Sequence, residues 1–88
     1  MSQRVLNVSV ISPEATLFTG DAESVVAPAF DGEVGILTGH APMITALGRG
    51  TLRVENAGNV QQFDVNGGFL QVVDNQVRVV TEHAEQHR

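Results

Sequence analysis

The chain has no Cys, no Trp, no Tyr and no Lys. Without thiols it has no disulfide, no thiolate nucleophile and no zinc site of the Cys type, and the redox compartment stays open. Without Lys it is no swinging-arm carrier domain, a small acidic β-structure that needs a modified Lys at a hairpin tip. Basic residues are also scarce: 5 against 10 acidic in 88 residues, a formal net charge of −5. Binding to nucleic acid or to an anionic membrane surface needs clustered cations, so both are disfavoured. Long apolar runs are missing too. The longest, Val25 to Phe30, falls far short of the roughly 20 residues needed to cross a bilayer. The opening Met1-Ser2-Gln3-Arg4 leads into a polar-interrupted stretch rather than an apolar signal core. What remains is 42% hydrophobic and 17% charged, enough for one packed core and too uncharged for a disordered chain. At this length a second core does not fit. The expectation is a soluble, acidic, single-domain protein.

Most segments repeat with period two. Leu6, Val8 and Val10 alternate with Asn7 and Ser9, the pattern of a strand with one dry face. Leu52 and Val54 alternate with Arg53 and Glu55. Gln61, Phe63 and Val65 alternate with Gln62 and Asp64, and Val77 and Val79 flank Arg78. The recurrent Val favours strands, where a β-branched side chain packs well on a pleated surface. Turn chemistry separates the runs. Pro13 in Ser12-Pro13-Glu14 offers no ladder donor and ends the first strand. Asn56-Ala57-Gly58-Asn59 reads as a four-residue hairpin loop. Asp74-Asn75 reads as a two-residue turn, since Asn and Asp tolerate positive φ. Asp31-Gly32, Gly48-Arg49-Gly50 and Gly67-Gly68 punctuate the rest. Many short strands at this spacing, with no convincing helix, predict an all-β protein, a sandwich or flattened barrel. Residues 82–88, rich in Glu, His and Gln, are expected to form a polar C-terminal tail after a domain of residues 1–81.

Chemistry has few candidates. His83 and His87 stand four apart beside Glu82 and Glu85, a helical metal-ligand spacing. They lie in a segment with no core to fix it, so a solvated tail is the better reading. A small metal-dependent enzyme would need these residues to converge with His40. His40, between Gly39 and Ala41-Pro42, reads as a loop His bonded to nearby backbone, because no Gly-x-Ser-x-Gly elbow or Ser–His–Asp order accompanies it. Asp31 and Glu33 flank Gly32 and suit a polar turn rim or a docking rim better than paired catalysis. Gly32-Glu33-Val34-Gly35 lacks the Lys and the helix of a phosphate loop. Pro42 to Leu47 is apolar and irregular, either a loop plugging one end of the sandwich or a contact surface for another subunit. No catalytic, cofactor-binding or metal-ligating residue is assigned.

The stretch Asp31-Gly32-Glu33-Val34-Gly35-Ile36-Leu37 followed by Gly39-His40-Ala41-Pro42 closely resembles the signature of the epsilon-subunit family of F-type ATP synthases. The order of the other segments agrees: Val10-Ile11-Ser12-Pro13-Glu14, Leu17-Phe18-Thr19-Gly20, Glu23-Ser24-Val25, Gly48 to Val54, Asn66 to Val72 and Val77 to Val80. The resemblance covers about residues 5 to 81. It implies a flattened ten-stranded β-sandwich and a non-catalytic, cofactor-free component of the central stalk. Such a component links the gamma subunit to the c-ring and so couples proton transport to ATP synthesis.

The resemblance also implies residue roles. Asp31, Gly32 and Glu33 match the turn facing the c-ring, with His40 in the following loop; Met43, Ile44 and Thr45 match the stretch near gamma. Gly35→Val is expected to disturb the strand and its loop broadly. The implied setting is peripheral, at the cytoplasmic face of a bacterial inner membrane, within the ATP synthase complex. One departure stands out: the sequence stops at Arg88, where the family's helical hairpin would begin. The expectation is therefore no inhibition by helix extension and no ATP binding by this subunit.

Overall fold

Each alternating run becomes a strand in a computed structural model that describes residues 5–87. The reading of Met1 to Arg4, and Arg88 of the expected tail, lie outside the described residues. β1 (Leu6–Ile11) buries Leu6, Val8 and Val10 and turns Asn7 outward. β2 (Thr16–Ala22) returns beside it after a turn closed by Ser12 N–H donating to the Ala15 carbonyl at 2.8 Å. β3 (Ser24–Ala29) and β4 (Gly32–Leu37) form a hairpin. β5 (Met43–Ala46) is short; β6 (Arg49–Asn56) and β7 (Asn59–Asn66) form the longest hairpin. β8 (Phe69–Val73), β9 (Gln76–Val80) and β10 (His83–His87) complete the chain. The strands make two five-stranded sheets, ordered β2-β1-β9-β8-β5 and β10-β7-β6-β3-β4. The expected all-β, ten-stranded sandwich is what the chain forms.

The core is the seam between the sheets. The first sheet contributes Leu6, Val8, Val10, Leu70, Val72, Val77 and Val79, the second Val25, Ile36, Leu52, Val54, Phe63 and Val65. Each is essentially dry, and fully burying one such side chain stabilises by about 1.5–3 kcal/mol. Phe63 is the largest of them and meets the half-buried Phe18 edge-on, with ring centroids 6.1 Å apart.

Three local expectations change. Residues 83–87 are a strand rather than a tail, paired antiparallel with β7 from His83 opposite Asn66 to His87 opposite Gln62. Ladder hydrogen bonds come from the backbone, so an edge strand forms here with Ala84 packed against the core. Met43 to Ala46 is an edge strand too, paired with β8, and not a plugging loop. The Asn56–Asn59 loop is tighter than read: Asn56 pairs with Asn59, leaving Ala57 and Gly58 as a two-residue turn at φ 53° and 83°.

The chain passes from the first sheet to the second at Thr81, which is buried. Its hydroxyl lies 2.9 Å from the carbonyl oxygens of both Gly67 and His83 and donates to one at a time; its own N–H donates to Ile11 O at 2.9 Å. Gly67 and Gly68, at φ 77° and 98°, run against this crossing. A Cβ on Gly68 would overlap the Val80 carbonyl oxygen, whereas a Cβ on Gly35 would meet nothing. The broad disturbance expected of Gly35→Val therefore has no steric cause. Gly68→Ala is expected to cost about 2–4 kcal/mol and Gly35→Val less than about 0.5 kcal/mol in urea unfolding. Equal losses for the two variants would contradict this account.

Candidate docking surfaces

The β3–β4 turn consists of Phe30 and Asp31, followed by Gly32 at φ 132°. It is fastened to the sandwich from beneath. Phe30 N–H donates to Ala46 O at 3.0 Å, Gly48 N–H to Pro28 O at 2.8 Å, and Leu47 N–H to Gly68 O at 2.9 Å. A turn pinned to both sheets holds its side chains in place without ordering them on contact. Asp31, Gly32 and Glu33 are all exposed, and so is Phe30, at 69%. The tip is therefore aromatic as well as acidic. Phe30 closes the apolar run Val25–Phe30, which hid it: in sequence it reads as one more core residue.

His40 does not join that turn. It follows the opposite end of β4, and six extended residues separate the two by on the order of 20 Å. The loop is tied locally. His40 N–H donates to Leu37 O at 3.1 Å, and its Nδ1 lies 2.7 Å from Ala41 O, the contact of a ring nitrogen that carries the proton. Gly39 N–H donates to Asn75 Oδ1 at 2.7 Å, while Asn75 O accepts from Asn7 N–H at 2.8 Å. Asn75, in the β8–β9 turn at φ 63°, thus holds the His40 loop and β1 together. Nothing in its sequence neighbourhood announces that role.

Met43, Ile44 and Thr45 divide between the two sides of β5. Met43 and Thr45 are half-buried toward the core, and Ile44 is 67% exposed on the outer face. Beside Ile44 run Ala46 and Phe69, which are cross-strand partners, then Val80 and Ile11 in the same row. Ile11, Pro13, Phe69 and Val80 also line a shallow groove of about 380 Å³, with Glu82 among its other lining residues. The outer face of the first sheet is therefore apolar along its β5–β8 side and wet toward β2, where Thr19 and Asp21 are exposed.

The residues weighed for catalysis stay apart. Among the described residues no three His, Asp or Glu side chains are grouped to hold a metal ion. His83 and His87 lie on a strand, where four residues span roughly 13 Å rather than one helical turn. His83 Nε2 instead faces Glu85 Oε2 at 3.8 Å, both exposed, a contact worth little in water. Among the described residues no buried side-chain polar atom lacks a partner. What the described residues offer is exposed surface at the β3–β4 turn and on the outer face of the first sheet.

The family model for the β-sandwich domain of the ATP synthase delta/epsilon chain matches residues 5–87. The chain belongs to that family. The epsilon chain of Leptospira borgpetersenii serovar Hardjo-bovis is 45% identical over 78 residues, covering 89% of this chain and 61% of that protein. The epsilon chain of a Synechococcus strain is 45% identical over 80 residues, covering 91% and 58%. The chain thus spans about six-tenths of the length of these family members. Solved structures repeat the sandwich. A chain in the Euglena gracilis mitochondrial ATP synthase assembly of OSCP, F1 and c-ring superposes with a TM-score of 0.89 at 24% identity, covering 96% of this chain and 54% of its own length. One in the Tetrahymena thermophila central stalk and c-ring gives 0.77 at 17%, covering 94% and 66%. At those identities the likeness is one of fold.

Two expected outcomes follow from the geometry. Asn75→Ala removes the acceptor of Gly39 N–H and leaves a β-carbon at positive φ, so it should cost about 1–2 kcal/mol. Amide exchange at Gly39 should accelerate with it; unchanged protection would show that the loop is held otherwise. Zinc is expected to leave the thermal unfolding midpoint where it is, and a saturable rise would reveal a metal site.

Proposed function

We propose that this chain serves as the epsilon-type sandwich of an F-type ATP synthase rotor, a non-catalytic piece of the central stalk that joins the gamma subunit to the c-ring. The family membership supports it, as do relatives named ATP synthase epsilon chain and the central-stalk and c-ring assemblies that hold the same fold. The observation that carries it is the pairing of two exposed surfaces on one stiff body: a pinned acidic-aromatic tip and an apolar outer face. Coupling by contact needs a body that does not yield between its two partners. A close-packed interior deforms little, so torque received on one surface reaches the other.

In this reading the β3–β4 turn meets the polar loops of the ring. Glu33 offers a carboxylate to a cationic or polar loop, Gly32 lets backbone approach closely, and Phe30 adds apolar contact. His40 stands apart from this contact, at the other end of β4. Gamma takes the outer face of the first sheet, with Ile44 its outward anchor and Met43 and Thr45 supporting β5 from the core side. The chain works as part of a membrane-associated ATP synthase complex, peripheral at the cytoplasmic face of a bacterial inner membrane.

Gentle solubilisation of membranes should bring down gamma and the c-subunit with this chain; recovery of neither would end the proposal. Glu33→Lys should weaken docking to the ring about tenfold and lower ATP-driven proton pumping in membranes. Unchanged coupling in that variant would remove Glu33 from the contact.

A further inference from the structure

Arg78 sits on β9, the central strand of the first sheet. Its neighbours Val77 and Val79 are buried and it is exposed, so it stands on the outer face. Its cross-strand partners are Ser9 on β1 and Gln71 on β8, both uncharged. One row beyond lie Ile11, Val80, Phe69 and Ala46; the other row holds Asn7, Gln76 and Val73. None of these is a carboxylate. The nearest acid in these rows, Asp21, is on the edge strand β2, opposite Asn7. Among the described residues Arg78 is the one Arg on this face, since Arg49 and Arg53 belong to β6 of the other sheet.

We infer that the partner covering this face carries a carboxylate opposite Arg78, set among apolar side chains that meet Ile44, Phe69 and Val80. The inference rests on the reading of this face as the gamma surface and names the chemistry that surface must meet. An apolar partner seated on Ile44 and Phe69 removes water from the middle of the sheet, where the guanidinium stands. A charge left there without an acceptor opposes binding strongly. Escape to the rim is poor, because two strands flank β9 on either side, roughly 10 Å to each edge. The sheet itself supplies only Ser9 and Gln71. A carboxylate matches the planar donor fork of Arg and takes two parallel hydrogen bonds. The chain as a whole is acidic, with net charge −5, and would repel an acidic partner elsewhere. Arg78 therefore also sets the register in which such a partner sits.

The test is the dissociation constant of this chain for the purified gamma subunit of its own synthase, at low and high salt, for wild type, R78Q, R78E and I44D. The expected result is loss of about tenfold for R78Q and at least about thirtyfold for R78E. I44D should reduce binding below detection, and a carboxylate-to-Arg change on gamma should restore binding to R78E. Circular dichroism should be unchanged in all variants, since both side chains are exposed. Wild-type affinity of R78E with loss in I44D overturns the carboxylate and leaves the face standing. Equal losses in R78Q and R78E that no charge exchange rescues mean a neutral carbonyl acceptor, and also overturn it. Wild-type affinity of both I44D and R78E overturns the gamma face itself.

Discussion

The dry seam between the two sheets is the constraint from which the rest follows. Residues such as Val8, Val79, Leu52 and Phe63 must face inward together, because only then do both sheets lose their water-exposed apolar surface. Once alternate residues are committed to the seam, their neighbours are committed to the outside. Arg78 is outward because Val77 and Val79 are inward; Ile44 is outward because Met43 and Thr45 lean on the core. The surfaces proposed for docking are the complement of the packing.

A second constraint acts where the chain changes sheets. Thr81 gathers carbonyls from Gly67 and His83, and Gly68 fits there because it has no Cβ to strike the Val80 carbonyl. The same end carries the Phe30-Asp31 turn, bound through Ala46, Leu47 and Gly48 to both sheets. Among the described residues that end is therefore heavily cross-tied, which suits the contact proposed for it. The opposite end uses a lighter device, the amide of Asn75, to hold the His40 loop.

Much of the fold was legible where burial is one-sided. β1, β6 and β9 announce themselves through Val and Leu at alternate positions, β7 through Phe63 and Val65, and Asp74-Asn75 through its tolerance of positive φ. β10 was not legible, because its pairing with β7 rests on backbone hydrogen bonds and its side chains carry almost no apolar signal. β5 was obscured for a different reason: four residues are too few to show a period. Of the residues proposed for docking, Asp31, Gly32 and Glu33 could be singled out by motif. Phe30 and Arg78 could not, since each looks ordinary until its neighbours across the sheet are known.

By itself the sequence determined the class of the protein: period-two Val and Leu allow strands with one dry face, and the lack of Cys and Lys closes off whole chemistries. It also determined the family, through a run of motifs in fixed order. Only the tertiary structure decided which surfaces exist. That Asp31 and His40, nine positions apart, occupy opposite ends follows from β4 running fully extended between them. That Ile44 and Arg78, thirty-four positions apart, share one face follows from cross-strand register through Gln71. Sequence spacing carries no such information, because register is set by long-range pairing and by the seam that all ten strands enclose.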